Sequence, residues 1–208
     1  PQLQKAVIFS SSSVHSKTTS ANPAERTQVQ SMLKAHESLH LLAQQRDIKL
    51  TIFKPTMIYG CGLDTNISRL AAWIQRFGFL PLNRRAQGLR QPVHAEDLAT
   101  AALSALQTKA ELPLELFLCG GETLSYRDMA ARIASALGKP ARLIGLPQWL
   151  FILLVRIMSV VIPSGGLNTE MVRRQTLDLV FDDSEARELL AYTPRSFSPE
   201  LRDFKLPW

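Results

Sequence analysis

Residues 5–13, KAVIFSSSS, decide how this 208-residue chain is read. A short apolar run that stops abruptly at four serines is the pattern of a strand buried in a parallel sheet, where helices cover both faces and no polar alternation is needed. After a polar loop, Asn22 and Pro23 supply a helix N-cap followed by proline at the first helical position. The stretch from Ala24 to about Gln45 then keeps helical spacing, with Val29, Leu33, His36 and Leu39-His40 along one side. IKLTIFK (48–54) is rich in β-formers and closes on Pro55. Strand, helix and strand make a βαβ unit, whose crossover is expected to be right-handed.

The same alternation continues. Asn66 to Phe77 is amphipathic and helical, with Gly78 as its C-terminal cap. FGFLPLNRRAQGLRQPV (77–93) reads as irregular and basic, HAEDLATAALSAL (94–106) as a helix and LELFLCG (114–120) as a strand. Ser125 with Asp128 starts a helix that runs to Leu137, with Gly138 behind it. An apolar helix around 147–162, another near 168–178 and a short one in DDSEARELL (182–190) follow. The expected class is α/β. Residues 1–110 would form part of a doubly wound parallel sheet, and 111–208 a small, mostly helical lobe interleaved with the 60–93 segment.

The formal charge of +6 and a pI near 9.6 call for an anionic partner. Lysines and arginines are spread along the chain, with local pairs only at Arg84-Arg85 and Arg173-Arg174, so the basic stripe with interleaved aromatics of a nucleic-acid binder is missing. A small anion explains the surplus as well. Cys61 and Cys119 have neither paired spacing nor a nearby His, which argues against a disulfide framework or a metal site and fits a reducing cytoplasm. The opening PQLQKAVIF carries no secretion leader and reads as the approach to a strand in mid-domain, so a truncated chain is expected. WLFILLVRIMSVVIP (149–163) is shorter than the ~20 apolar residues of a membrane span and is interrupted by Arg156. A buried or interfacial helix is expected there, with peripheral membrane contact left open.

Four stretches carry residues suited to chemistry. Hydroxyls at Ser10 to Ser13 stand past a strand's carboxyl end, where ligands of open α/β sheets bind. Lys34 and Glu37 share a helix face. TIFKPTMIYGCG (51–62) runs a strand into Pro55, which halts the ladder, and into Tyr59-Gly60, where glycine admits close backbone approach. Arg90 sits in the most basic loop. Singly, each has an ordinary alternative as a solvated turn, a surface ion pair, a strand end or a surface arginine.

In this order, FSSSS, LKAHE, FKPTMIYGCG and RQPVHAEDLA, followed by GGETLS (120–125) and FDDSEAR before Tyr192-Thr-Pro, the chain resembles the extended short-chain dehydrogenase/reductase superfamily, of the nucleotide-sugar epimerase/dehydratase type. The resemblance covers nearly the whole chain. It implies hydride chemistry on a nucleotide-activated sugar with NAD or NADP. By the same resemblance, Ser12 or Ser11 and Lys34 belong to the reacting centre, and Ser11, Lys34, Pro55, Thr56 and Tyr59 line the cofactor. Asn66 and Arg90 hold the sugar nucleotide, Arg90 at its diphosphate. A homodimer through the 24–45 helix is also implied by resemblance.

Two departures matter. No glycine-rich strand-to-helix loop, which would set a pyrophosphate against a helix N-terminus, occurs in the sequence. And four residues before Lys34, where the family carries tyrosine, stands Gln30, an amide that neither gives nor takes a proton near neutral pH. His15 or Tyr59 could substitute for it, or the chain could be a non-catalytic binding relative on the same fold. Both readings stay open at this point.

Overall fold

The computed structural model describes residues 3–161 and 169–206. In chain order, its first half contains β1 (Lys5–Phe9), α1 (Ser13–Ser16), α2 (Pro23–Gln45), β2 (Lys49–Pro55), β3 (Ile58–Tyr59), α3 (Ile67–Phe77), β4 (Leu80–Asn83), β5 (Leu89–Arg90) and β6 (Val93–His94). Then come α4 (Ala95–Gln107), β7 (Glu115–Leu118), β8 (Leu124–Ser125), α5 (Tyr126–Ala136), β9 (Leu143–Leu146), α6 (Gln148–Val161), α7 (Thr169–Arg174) and α8 (Ser184–Leu190). They fall into two compact units, one of Pro1–Met57, Pro92–Gly121 and Phe181–Ser196, the other of Ile58–Gln91, Glu122–Val180 and Phe197–Trp208.

The first unit is built on a parallel sheet in the order β1-β2-β7. β1 pairs with β2 from Lys5↔Lys49 to Phe9↔Phe53, and β2 pairs with β7 from Ile52↔Glu115 to Pro55↔Leu118. As the central strand, β2 is buried at every position after Lys49, which is why its sequence is a near-continuous apolar run. The expected cap starts α2: the Asn22 side chain accepts from the Ala24 N–H at 3.0 Å. Ala43 and Leu39 of that helix pack with Leu50, Ile52, Ile8 and Leu114. The His94 ring caps α4 by accepting from the Glu96 N–H at 3.2 Å. The Tyr192 hydroxyl ties the return segment down by donating to the Cys119 carbonyl at 2.8 Å.

The boundary at 110/111 is corrected by this pairing. β7 is a strand of the parallel sheet, and α8 packs against β7 and α4, so 111–121 and 181–196 belong to the sheet unit. At Gly121 the backbone of Pro194 and Arg195 comes so close that an added Cβ would collide with it.

In the second unit, the 77–93 stretch that looked irregular contains two strands. β4 pairs in parallel with β9, and β5 runs antiparallel to β8. Pro81 and the polar residues interrupt any clean alternation, which hid both strands. α3 is capped from outside, by Asp64 accepting from the Ser68 N–H at 2.9 Å and from its hydroxyl at 2.7 Å. It ends at Gly78, with φ +74°. Ser125 opens α5 as expected, its Oγ accepting from the Asp128 N–H at 3.0 Å and donating to the Asp128 carboxylate at 2.7 Å. α6 buries Phe151 and Val155 against Val172. α7 ends at Arg174, short of the expected 178, because Leu179 N–H turns to the Leu89 carbonyl. Residues 162, 163 and 168 of the expected helices lie outside the described residues.

Candidate functional site

Past the carboxyl ends of β1 and β2 the hydrogen-bond ladder continues. Ser10 N–H donates to Phe53 O, Ser12 N–H to Pro55 O at 3.0 Å, and Thr56 N–H to Leu118 O at 3.0 Å. Ser11, Ser12, Pro55 and Thr56 are therefore brought together on one edge of the first unit's sheet. The hydroxyls have distinct surroundings. Ser11 Oγ donates to Ser13 Oγ at 2.8 Å and accepts from the Ser13 N–H at 3.1 Å. Ser12 is buried and stands at the N-cap of α1 without a side-chain cap bond, and Ser10 Oγ is buried without a hydrogen-bond partner. The paired hydroxyls thus belong to Ser11 and Ser13, the latter not singled out from the sequence because four consecutive serines give no clue to which side each faces.

Lys34 is exposed on α2, one turn after the equally exposed Gln30. Tyr59, Asn66 and Arg90 belong to the second unit. Tyr59 is buried edge-to-face against Phe197, with centroids 4.8 Å apart. Asn66 is exposed, and its amide is not spent on capping α3. Arg90 is buried and committed to the backbone: Nη1 donates to the carbonyls of Leu89 (2.6 Å) and Leu177 (2.7 Å), and Nη2 to that of Arg174. Its guanidinium lies 5.4 Å from the Tyr126 ring, and burial lowers its pKa.

The sequence reading missed a charged cluster beneath α1 and α2. Lys54 is almost wholly buried, paired with Glu115 and 3.1 Å from His15 Nε2. An ammonium group only donates, so Nε2 accepts and the His15 proton sits on Nδ1. The His15 ring lies 5.3 Å from Phe117, which stacks on Phe181 at 4.9 Å. Desolvation, and then the Lys54 charge, lower the His15 pKa against the opposing pull of Glu115. His36 of α2 is shifted the same way by the same groups, and its Nδ1 is buried without a partner. The available signal was a lone lysine inside an apolar strand, since a charge there needs a buried partner.

A parallel sheet in the order β1-β2-β7 with helical crossovers makes the first unit an α/β protein of the Rossmann type. Solved structures share the fold. RMD from Pseudomonas aeruginosa, complexed with NADPH, superposes with a TM-score of 0.67 at 13% identity, over 98% of this chain and 65% of that one. UDP-glucuronic acid 4-epimerase from Bacillus cereus, in complex with NAD, gives 0.66 at 18%, over 97% and 60%. UDP-glucose 4-epimerase from Thermotoga maritima, with UDP-glucose, gives 0.63 at 13%, over 92% and 58%. In sequence, the chain is 24% identical over 160 residues to a UDP-glucose 4-epimerase of Vibrio cholerae, covering 77% of this chain and 46% of that relative. It thus spans about half the length of that curated relative. No family model matches. In sequence the chain is thus similar to a UDP-glucose 4-epimerase, and the solved structures show that it shares their Rossmann-type α/β fold.

Proposed function

We propose that the protein is an NAD(P)-dependent epimerase, dehydratase or reductase acting on a nucleotide-activated sugar. The observation that carries this reading is the Ser11–Ser13 hydroxyl pair set beside the Pro55 backbone at the sheet's carboxyl edge. NAD(P) supplies hydride transfer when bound. Toward it this chain offers the Ser11–Ser13 turn and the Pro55-Thr56 backbone, which suit a polar ring lying against the strand ends. Ser11 and Ser13 would hydrogen-bond the reacting sugar oxygen, and Lys34 would reach a cofactor ribose from α2; in the second unit Asn66 is exposed as a candidate ligand contact, whereas Tyr59 is buried against Phe197. Ser12, the serine the resemblance names first for the reacting centre, is less accessible than Ser11 because it is buried. Arg90 would act on the diphosphate only by exchanging at least one of its carbonyl partners.

Gln30 favours a second reading, a relative that binds cofactor or sugar nucleotide without turnover. Two free cysteines, one buried and one exposed, support a cytoplasmic location. Exposed Leu33, Leu41 and Leu42 on α2 support a homodimer through that helix.

Proton NMR of UDP-sugars incubated with the chain and NAD or NADP tests the proposal. Appearance of a 4-epimer, or of a keto-sugar with matching cofactor reduction, is the expected result. Saturation-transfer signals from sugar nucleotide without turnover, with activity appearing in Gln30→Tyr, would establish the second reading. Neither binding nor turnover by folded protein would overturn both.

A further inference from the structure

The second unit holds 14 lysines and arginines against 7 acidic residues, whereas the first holds 10 against 11. The chain's positive surplus is therefore carried by one unit, and that unit also bears α6, a helix apolar on more than its buried face. Phe151 and Val155 face the core. On the other side, Trp149, Leu153 and Ile157 are 68%, 48% and 54% exposed, an i, i+4, i+8 stripe, and Ile144 of the preceding strand is 45% exposed. A helix apolar all round is found in a protein core or in lipid, and among the described side chains of this one Trp149, Leu153 and Ile157 face outward. Cations border the stripe. Arg156 is exposed on α6 itself, Arg142 precedes β9, and Arg84 and Arg127 approach Gly145 within that strand. Among the described residues no helix is long and apolar enough to cross a membrane.

We infer that α6 seats the protein on an anionic lipid bilayer, lying in the plane of the interface. Leu153 and Ile157 enter the acyl boundary, and Trp149 takes the headgroup level its amphipathic ring prefers. Arg84, Arg127, Arg142 and Arg156 add the electrostatic attraction to the phosphates. This surface is independent of the catalytic reading.

Flotation of the full chain with vesicles of phosphatidylglycerol and phosphatidylcholine, against vesicles of phosphatidylcholine alone, is the test. Binding to the anionic vesicles that weakens with salt is expected, and Leu153→Gln with Ile157→Gln should reduce it by about tenfold or more. Both positions are solvent-exposed, and unchanged far-ultraviolet circular dichroism verifies that the variant folds. Three outcomes overturn the inference: no flotation with anionic vesicles at low salt, flotation indifferent to the two substitutions, or a lipid-free dimer that the same substitutions convert to monomer. The last would assign the stripe to a second copy of the chain.

Discussion

Lys54 Nζ stands 3.1 Å from His15 Nε2, so that nitrogen accepts from a buried ammonium, and burial followed by the Lys54 charge disfavours protonation of the ring. The consequence for stability has a definite sign. The folded pKa of His15 is depressed below its ordinary value of about 6.5, so unfolding takes up a proton that the native state refuses. This contribution is complete above that ordinary value and is lost as pH falls through the lowered one, and His36 adds in the same direction. Urea midpoints should therefore drop as pH is lowered from about 7.5 to 5. In Lys54→Met, His15 should titrate at higher pH by NMR, because one of its two lowering influences is gone while Glu115 remains.

Removing the other side of the cluster exposes the cost of the buried charge. Glu115→Gln leaves Lys54 inside the sheet unit without its carboxylate, and should destabilise the fold by about 1–3 kcal/mol, Glu115 itself being part-exposed. Denaturant unfolding measures it.

Arg90→Lys tests what the guanidinium is for. A lysine cannot reach the three carbonyls of Leu89, Leu177 and Arg174 in one geometry, so a loss of about 1–3 kcal/mol is expected. A variant of unchanged stability whose sugar-nucleotide binding is weakened would instead make Arg90 a ligand contact first.

Two glycines should respond differently to alanine. At Gly121 the new Cβ meets backbone of Pro194 and Arg195, which cannot rotate away, and a loss of about 2 kcal/mol or more is expected. At Gly78 nothing lies within 4 Å, and only the positive φ opposes the substitution, so about 1 kcal/mol is expected. Thermal or urea unfolding of the pair distinguishes crowding from backbone strain.

Burial, aided by Asp183, pushes the Cys119 thiol up to about 12, while Cys61 is exposed. Iodoacetamide at pH ~8 should label Cys61 alone in the native protein and both cysteines in denaturant, as intact-mass spectrometry would show.

Local chemistry made much of the fold legible. Asn22-Pro23, Gly78 and the Ser125–Asp128 pair each act within one helical turn, so their sequence meaning does not depend on the rest of the chain. β2 and β7 were legible as strands, but their partnership was not, because nothing near Phe53 announces Leu116. The same distance hid the site's charges. Lys54 shows no partner in its own strand until Glu115, sixty-one positions later, comes to lie beside it, and Arg90 reads as a ligand arginine until the carbonyls of 174 and 177 close around it.

The polypeptide crosses between its two units five times. No single cut releases either of them whole, and expression of one alone would require splicing three separate segments. During synthesis, β2 leaves the ribosome some sixty residues ahead of β7, and Tyr192, which fastens the sheet unit by its hydroxyl, follows 73 residues after the Cys119 carbonyl it binds. Such long-range closure slows folding and leaves apolar strand surface uncovered meanwhile. The nascent chain is thus expected to depend on chaperones until the segment that carries Tyr192 has emerged and closed the sheet unit.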